Sequence, residues 1–288
     1  IKFQGKVRRV MIVGGGYDTC YENPRFTLKG SGDDLTCATK TKAKGNAVYI
    51  VDALTGARLW WTSDSGSNKD NVDLKHSIVS SISTADGNND GLVDHLYFGD
   101  LGGQVFRIDL NNHTTATSTA DHFAARVVKL VNLATTNKGV SISNGDNPRF
   151  YEAPTVTVHR DNGKKFIHLG LVAGDRSSPL DVAPNERIGL PALLTNRPVN
   201  HVYGIMDIDA VKPKIMNPET VIETKDLTLA NLQVNPKLLY ATALQLINSY
   251  APYKTKPLIG VDQRIFGWYH SLSSTYNGVE KANDKYRK

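Results

Sequence analysis

The chain has 288 residues, 40% of them hydrophobic, enough for one large all-β domain or two ordinary domains with a substantial core, and not the composition of a disordered chain. Its formal charge of +6 is dispersed among acidic residues, and no basic run is interleaved with aromatics, which argues against nucleic acid as a partner. No apolar run approaches the ~18–20 residues that span a bilayer, and residues 1–6 lack the apolar core of a signal peptide; either a leader has been removed or this is an internal piece of a longer chain.

In chain order, residues 6–13 read as a strand running into Gly14-Gly15-Gly16. Those glycines do not make a dinucleotide fingerprint: Thr19 stands where the third glycine is required, and no helix follows to present its N-terminus to a phosphate. Cys20 and Cys37, the only two cysteines, bracket a segment rich in Gly, Asp and Ser. The expectation is a disulfide formed in an oxidising compartment, with two unrelated free thiols as the alternative. Residues 46–61 read as strand, tight turn, strand; this is a β-hairpin, closed by Trp60 and Trp61 as packing residues.

Residues 77–84 and 95–98 are short and strand-like, and the connection between them, Asp86-Gly87-Asn88-Asn89-Asp90-Gly91-Leu92-Val93-Asp94, places oxygen-bearing groups at every second position. Calcium takes about six to eight oxygens at ~2.3–2.6 Å. A tightly wound loop can aim Asp86, Asn88 and Asp90 at one point, add the Leu92 carbonyl and close with Asp94, while Gly91 supplies the bend. An EF-hand is rejected, because the closing carboxylate comes at the ninth position in place of a Glu at the twelfth, and a strand follows. The alternative is an Asx-rich turn, in which the same side chains bond their own backbone.

The first hairpin is then written twice more. Residues 98–103 lead into 104–110, and residues 166–175 lead, after a long insertion, into 200–209; each unit is apolar strand, Gly-Asp turn, apolar strand, Asp. Repetition of one hairpin type suggests an all-β fold, a modified or partial β-propeller with long inter-strand insertions, with a two-layered sandwich as runner-up. Further strands are expected at 125–130, 153–159 and 263–270. One short helix is expected at 235–248, where Asn235 and Pro236 form a start signal before Leu, Ala and Ile at helical spacing.

The sequence contains no GxSxG elbow, HExxH, Walker loop or CxxC pair. His76, His95, His159, His168, His201 and His270 are scattered singly and read as packed or solvated residues. Asp100 and Asp175 end repeated strands, where their carboxylates are expected to bond turn amides.

The run from Asp86 to Asp109, together with Gly14-Gly15-Gly16-Tyr17-Asp18 and the hairpin from Val48 to Gly56, resembles the C-terminal domain of the PilY1/PilC family of type IV pilus biogenesis proteins, over a span from about Val7 to Trp268. The resemblance implies a modified β-propeller carrying a calcium loop, whose ligands fall on Asp86, Asn88, Asp90, the carbonyl of Leu92, and Asp94. It also implies an exported protein at the pilus tip, outer surface or outer membrane that supports pilus extension and attachment, with pilin or minor pilin subunits and a host-cell receptor as partners. The family's large N-terminal region is absent, and the chain stops soon after Trp268, where members continue into further strands. The expected organisation is a single domain over 1–288, a fragment of a longer protein, with a disulfide-bracketed insertion at 19–45 and a helical insertion at 211–255.

Three functions follow. The first is a non-enzymatic, calcium-dependent assembly and adhesion module. The second is a quinoprotein-dehydrogenase-like enzyme, because residues 52–60 resemble the tryptophan-docking hairpin of those propellers; the absence of an adjacent-cysteine pair speaks against it. The third is a structural calcium site in an unrelated surface protein.

Overall fold

The structure is a computed structural model that describes residues 1–23, 26, 28, 35–113, 123–134, 148–161, 164–174, 176, 200–234, 266–271, 273–276 and 279–282. It is all-β, with almost no helix among these residues. Strands β1 (Lys2–Phe3) and β2 (Lys6–Val7) form a small ribbon, and β3 (Val10–Gly14), β4 (Val48–Asp52) and β5 (Arg58–Thr62) form a three-stranded antiparallel sheet. A four-stranded antiparallel sheet follows in the order β6 (Ser83–Ala85), β7 (His95–Gly99), β8 (Gln104–Leu110) and β9 (Ala124–Asn132). The third large sheet comprises β10 (Thr155–Asp161), β11 (Lys164–Val172), β12 (His201–Asp207), β13 (Gln233–Val234) and β14 (Gly267–Ser271), in the order β10-β11-β12-β14-β13. Its pairs are antiparallel except β13 with β14. A last hairpin joins β15 (Ser273–Tyr276) to β16 (Val279–Ala282).

The four-stranded sheet is covered on both faces, which is why β7 and β8 read as near-continuous apolar runs and are buried throughout. One face packs against the three-stranded sheet: Leu96, Phe98, Phe106 and Ile108 share a core with Val48, Ile50 and Trp60. The other packs against the five-stranded sheet, where Tyr97, Val105, Leu130 and Val131 meet Ile167, Leu169, Tyr203 and Ile205. Alternation of side chains along each strand divides the residues between these two cores. The sheets stack in chain order, each sharing a core with the next; the expected all-β class is present, and among the described residues the sheets do not close into the ring of a propeller.

The first hairpin turns at Gly56, whose amide donates to the Asp52 carbonyl at 2.9 Å. Trp60 is fully buried in the core, whereas Trp61 stacks on Tyr49 at 5.8 Å with the Arg58 guanidinium over its ring. The expected strand at 77–84 shrinks to Ser83–Ala85. The physical reason is that the backbone of its first half is committed to three separate turns: Ser77 accepts from Leu101, and Ile78 accepts from Gly16 and donates to Gly45.

Cys20 and Cys37 are joined in a disulfide, which links the 3-10 turn Thr19–Glu22 to the short helix α1 (Leu35–Ala38). Within the insertion at 211–255, the described part, residues 211–234, holds turns and the 3-10 turn Leu229–Asn231 before β13; the expected helix at 235–248 lies outside the described residues. Among the described residues no helix is long and apolar enough to cross a membrane.

Candidate functional site

The loop from Asp86 to Asp94 is spliced between β6 and β7, and the ladder closes its base. His95 pairs with Ala85, and the Asp94 amide donates to the Ala85 carbonyl at 2.9 Å. Above that base the chain winds around the Asp86 carboxylate. Oδ1 accepts from the amides of Asn89 at 2.5 Å and Asp90 at 3.3 Å, and Oδ2 accepts from Gly91 at 2.8 Å. Gly91 has φ of 84° and makes the bend, in a conformation that a side chain would strain. Asn88 Oδ1 accepts from the Asp90 amide and Asp90 Oδ1 from the Leu92 amide, both at 2.9 Å.

Asp94 stands apart from this exposed tip: it is buried. Its Oδ2 accepts from the Gly87 amide at 2.9 Å and its Oδ1 from Asn112 Nδ2 at 3.3 Å. The same Asn112 amide group donates to the Val93 carbonyl at 2.7 Å, so the turn that follows β8 clamps the loop's closing residue. Partial desolvation pushes the Asp86 carboxyl up, but the amides of Gly91, Asn89, Asp90 and Asn88 outweigh it and hold the group below the ordinary carboxylate range.

Thus the structure gathers Asp86, Asn88, Asp90, Leu92 and Asp94 into one nine-residue loop, with the carboxylates turned onto backbone amides. Among the described residues no three Asp, Glu, His or Cys side chains converge closely enough to hold a metal ion. The donor set nevertheless has the chemistry of a hard divalent cation: three carboxylates, one side-chain amide and one backbone carbonyl, all oxygen. Each carboxylate oxygen carries two lone pairs, so one that accepts a single amide, such as Asp86 Oδ2, Asp90 Oδ1 or Asp94 Oδ2, keeps a second.

Directly beneath the loop lies a buried ionic cluster that the motif reading did not assemble. His95 Nδ1 is 2.8 Å from Asp109 Oδ1, and Arg107 Nε donates to that oxygen at 2.7 Å. Arg107 Nη1 also donates to both carboxylate oxygens of Asp207 at 2.6 Å, and the Tyr97 hydroxyl donates to Asp207 Oδ2 at 3.0 Å. Arg107, Asp109 and Asp207 are wholly buried, which spans the interface between the four- and five-stranded sheets with charge. Burial pushes the Asp109 carboxyl up, but the Arg107 charge and the His95 bond prevail and lower it. The Arg107 guanidinium, conversely, is raised by Asp207 and Asp109 against its desolvation. The available sequence signal was a lone Arg inside the apolar run of β8; such a charge requires a buried counterion.

The other singled-out residues have structural places. Asp100 Oδ1 accepts from the amides of Gly102 and Gln104, each at 2.9 Å, as expected for a strand-ending Asp; Asp175 lies outside the described residues. His76 is half-buried beside the disulfide-bracketed segment, with Nδ1 2.7 Å from the Tyr21 hydroxyl.

No family model matches the chain, and no curated protein matches it. Among solved structures the chain is similar to the Pseudomonas aeruginosa PilY1 C-terminal domain, with 20% sequence identity and a TM-score of 0.49. The match covers 82% of this chain and 45% of that one, so the chain spans less than half the length of the matched structure.

Proposed function

We propose that this chain is a calcium-binding, non-enzymatic scaffold of propeller type, exported and acting in type IV pilus biogenesis or attachment, where it engages pilin or minor pilin subunits or a host-cell receptor. The observation that carries the calcium part is the form of the loop: five oxygen donors, Asp86, Asn88, Asp90, the Leu92 carbonyl and Asp94, are held in one tight turn whose closing carboxylate is anchored in the fold. The pilus part rests on the resemblance of the run from Asp86 to Asp109.

In this reading the ion draws on carboxylates that the backbone already confines, and its charge offsets the mutual repulsion of Asp86, Asp90 and Asp94. The loop leads through Asp94 directly into His95, whose ring touches Asp109 in the inter-sheet cluster. Occupancy would therefore stiffen the connection between two stacked sheets and the surface they present.

Isothermal calorimetry with calcium chloride tests the ion, comparing the wild type with Asp86→Asn and Asp94→Asn, substitutions that keep shape and remove charge. Saturable heat that either variant weakens at least ~10-fold is the expected result. No heat up to millimolar calcium, or unchanged affinity in both variants, sinks the calcium reading and leaves the Asx-rich turn. Calcium that raises the melting temperature without altering affinity for purified minor pilins would identify a purely structural ion.

A further inference from the structure

The outward face of the five-stranded sheet carries two imidazoles at its β10–β11 edge. His159 is opposite Phe166 and His168 is opposite Thr157, so all four side chains point to the same side of the sheet. Ile167 and Leu169, which alternate with them on β11, are buried in the core, and Phe166 is partly buried at its margin. The His159 and His168 rings are 5.7 Å apart, centre to centre, and meet edge to face at 82°.

The surroundings orient both rings. His159 stacks on Phe166 at 5.6 Å, and His168 stacks on Trp268 at 6.2 Å. The second stack needs Gly204 beneath it: a Cβ there would lie 2.6 Å from His168 Nε2 and 2.5 Å from the Trp268 indole nitrogen. The Thr157 hydroxyl lies 3.4 Å from the His168 carbonyl and 2.9 Å from His159 Nε2. The hydroxyl has one hydrogen for these two partners, and where it goes to the carbonyl the hydroxyl accepts from Nε2–H. In that arrangement the His159 proton sits on Nε2 and Nδ1 is the open lone pair.

We propose that His159 and His168 form a surface chelate for a borderline first-row transition-metal ion of the zinc or copper class, separate from the oxygen-lined loop. Two imidazoles sharing one ion at ~2.0–2.1 Å place their ring centres roughly 5 Å apart, close to the 5.7 Å between these rings. Nitrogen donors select zinc or copper over calcium, and a hydrogen-bonded Thr behind one ligand is the outer-shell support that metal-binding imidazoles use. His159 is exposed, so the remaining coordination positions open to solvent or to a ligand carried by another molecule.

The test is titration of the calcium-treated protein with zinc chloride by calorimetry, and with copper sulfate by tryptophan fluorescence. The expected result is saturable binding that His159→Ala and His168→Ala each weaken at least ~10-fold, that Thr157→Val weakens measurably, and that His270→Ala leaves unchanged. Copper should quench emission, and Trp268→Phe should remove the saturable part of the quench while zinc binding persists. His159→Gln guards against a folding artefact, because the position is exposed and the side chain stays polar. Absence of saturable binding at millimolar metal, or binding unaffected by either His→Ala change, overturns the proposal.

Discussion

Asp100 offers a stability test in which the pH dependence carries the information. Its side chain is wholly buried; Oδ1 accepts two turn amides, and among the described residues Oδ2 has no hydrogen-bond partner. Burial, opposed by the Gln104 and Gly102 amides, pushes its pKa up from 3.8 to about 7. Between those two values the native state holds a proton that the unfolded chain has lost, so stability falls as the pH rises through the window. The displacement is roughly 3 pKa units, or on the order of 4 kcal/mol once both states are ionised. Asp100→Asn keeps the Oδ1 acceptor and removes the charge. It should be nearly neutral at pH 4 and stabilising by a few kcal/mol at pH 8.

His76 slopes the other way. Burial and Lys75 push its pKa down from 6.5 to about 4, so the unfolded state takes up a proton that the native state refuses, and stability falls as the pH drops through that range. In the wild type the two slopes largely cancel between pH 4 and 6.5. Removing the Asp100 carboxyl should expose the His76 slope of roughly 3 kcal/mol over that interval. Urea unfolding of wild type and Asp100→Asn at pH 4, 6.5 and 8 measures all three quantities. A variant equally shifted at every pH, or less stable than wild type at pH 8, would refute the reasoning that a buried, partnerless carboxylate oxygen is the source.

The remaining predictions concern the charge cluster and the staple. Arg107→Met leaves Asp109 and Asp207 buried without their guanidinium and should cost about 3–5 kcal/mol in denaturant unfolding. A loss below ~1 kcal/mol would mean that water reaches the cluster, contrary to its burial. Replacing both Cys20 and Cys37 by Ser frees a loop of 17 residues' separation and should cost on the order of 3 kcal/mol in the same assay, with unchanged stability as the contrary result.

The elements most legible in the sequence were those set by local chemistry. Strand alternation, the Asp52-to-Gly56 turn and the Asx spacing from Asp86 to Asp94 are written within a few residues of one another, so their periodicity survives without knowledge of neighbours. The cysteine pair was legible for a simpler reason, since two thiols allow one pairing. The strand misread at 77–84 marks the limit: its β-branched residues fit a ladder, but distant turns at Gly16, Gly45 and Leu101 claimed the backbone first.

Stacking of the sheets lay beyond that reach. Arg107 and Asp207 are a hundred positions apart, and only the packing of β8 against β12 turns an isolated Arg in an apolar strand into half of a buried ion pair. His159 and His168 read as scattered singles because nothing in their spacing announces a shared face; the hairpin register brings them together, and the bare backbone of Gly204 lets Trp268 lie against one of them. The loop itself shows both contributions. Its oxygen pattern is local, whereas the burial of Asp94, its clamp by Asn112 and its continuation into the His95–Asp109 contact depend on where β7 and β8 sit, because burial is a property of the folded surface and not of neighbouring letters.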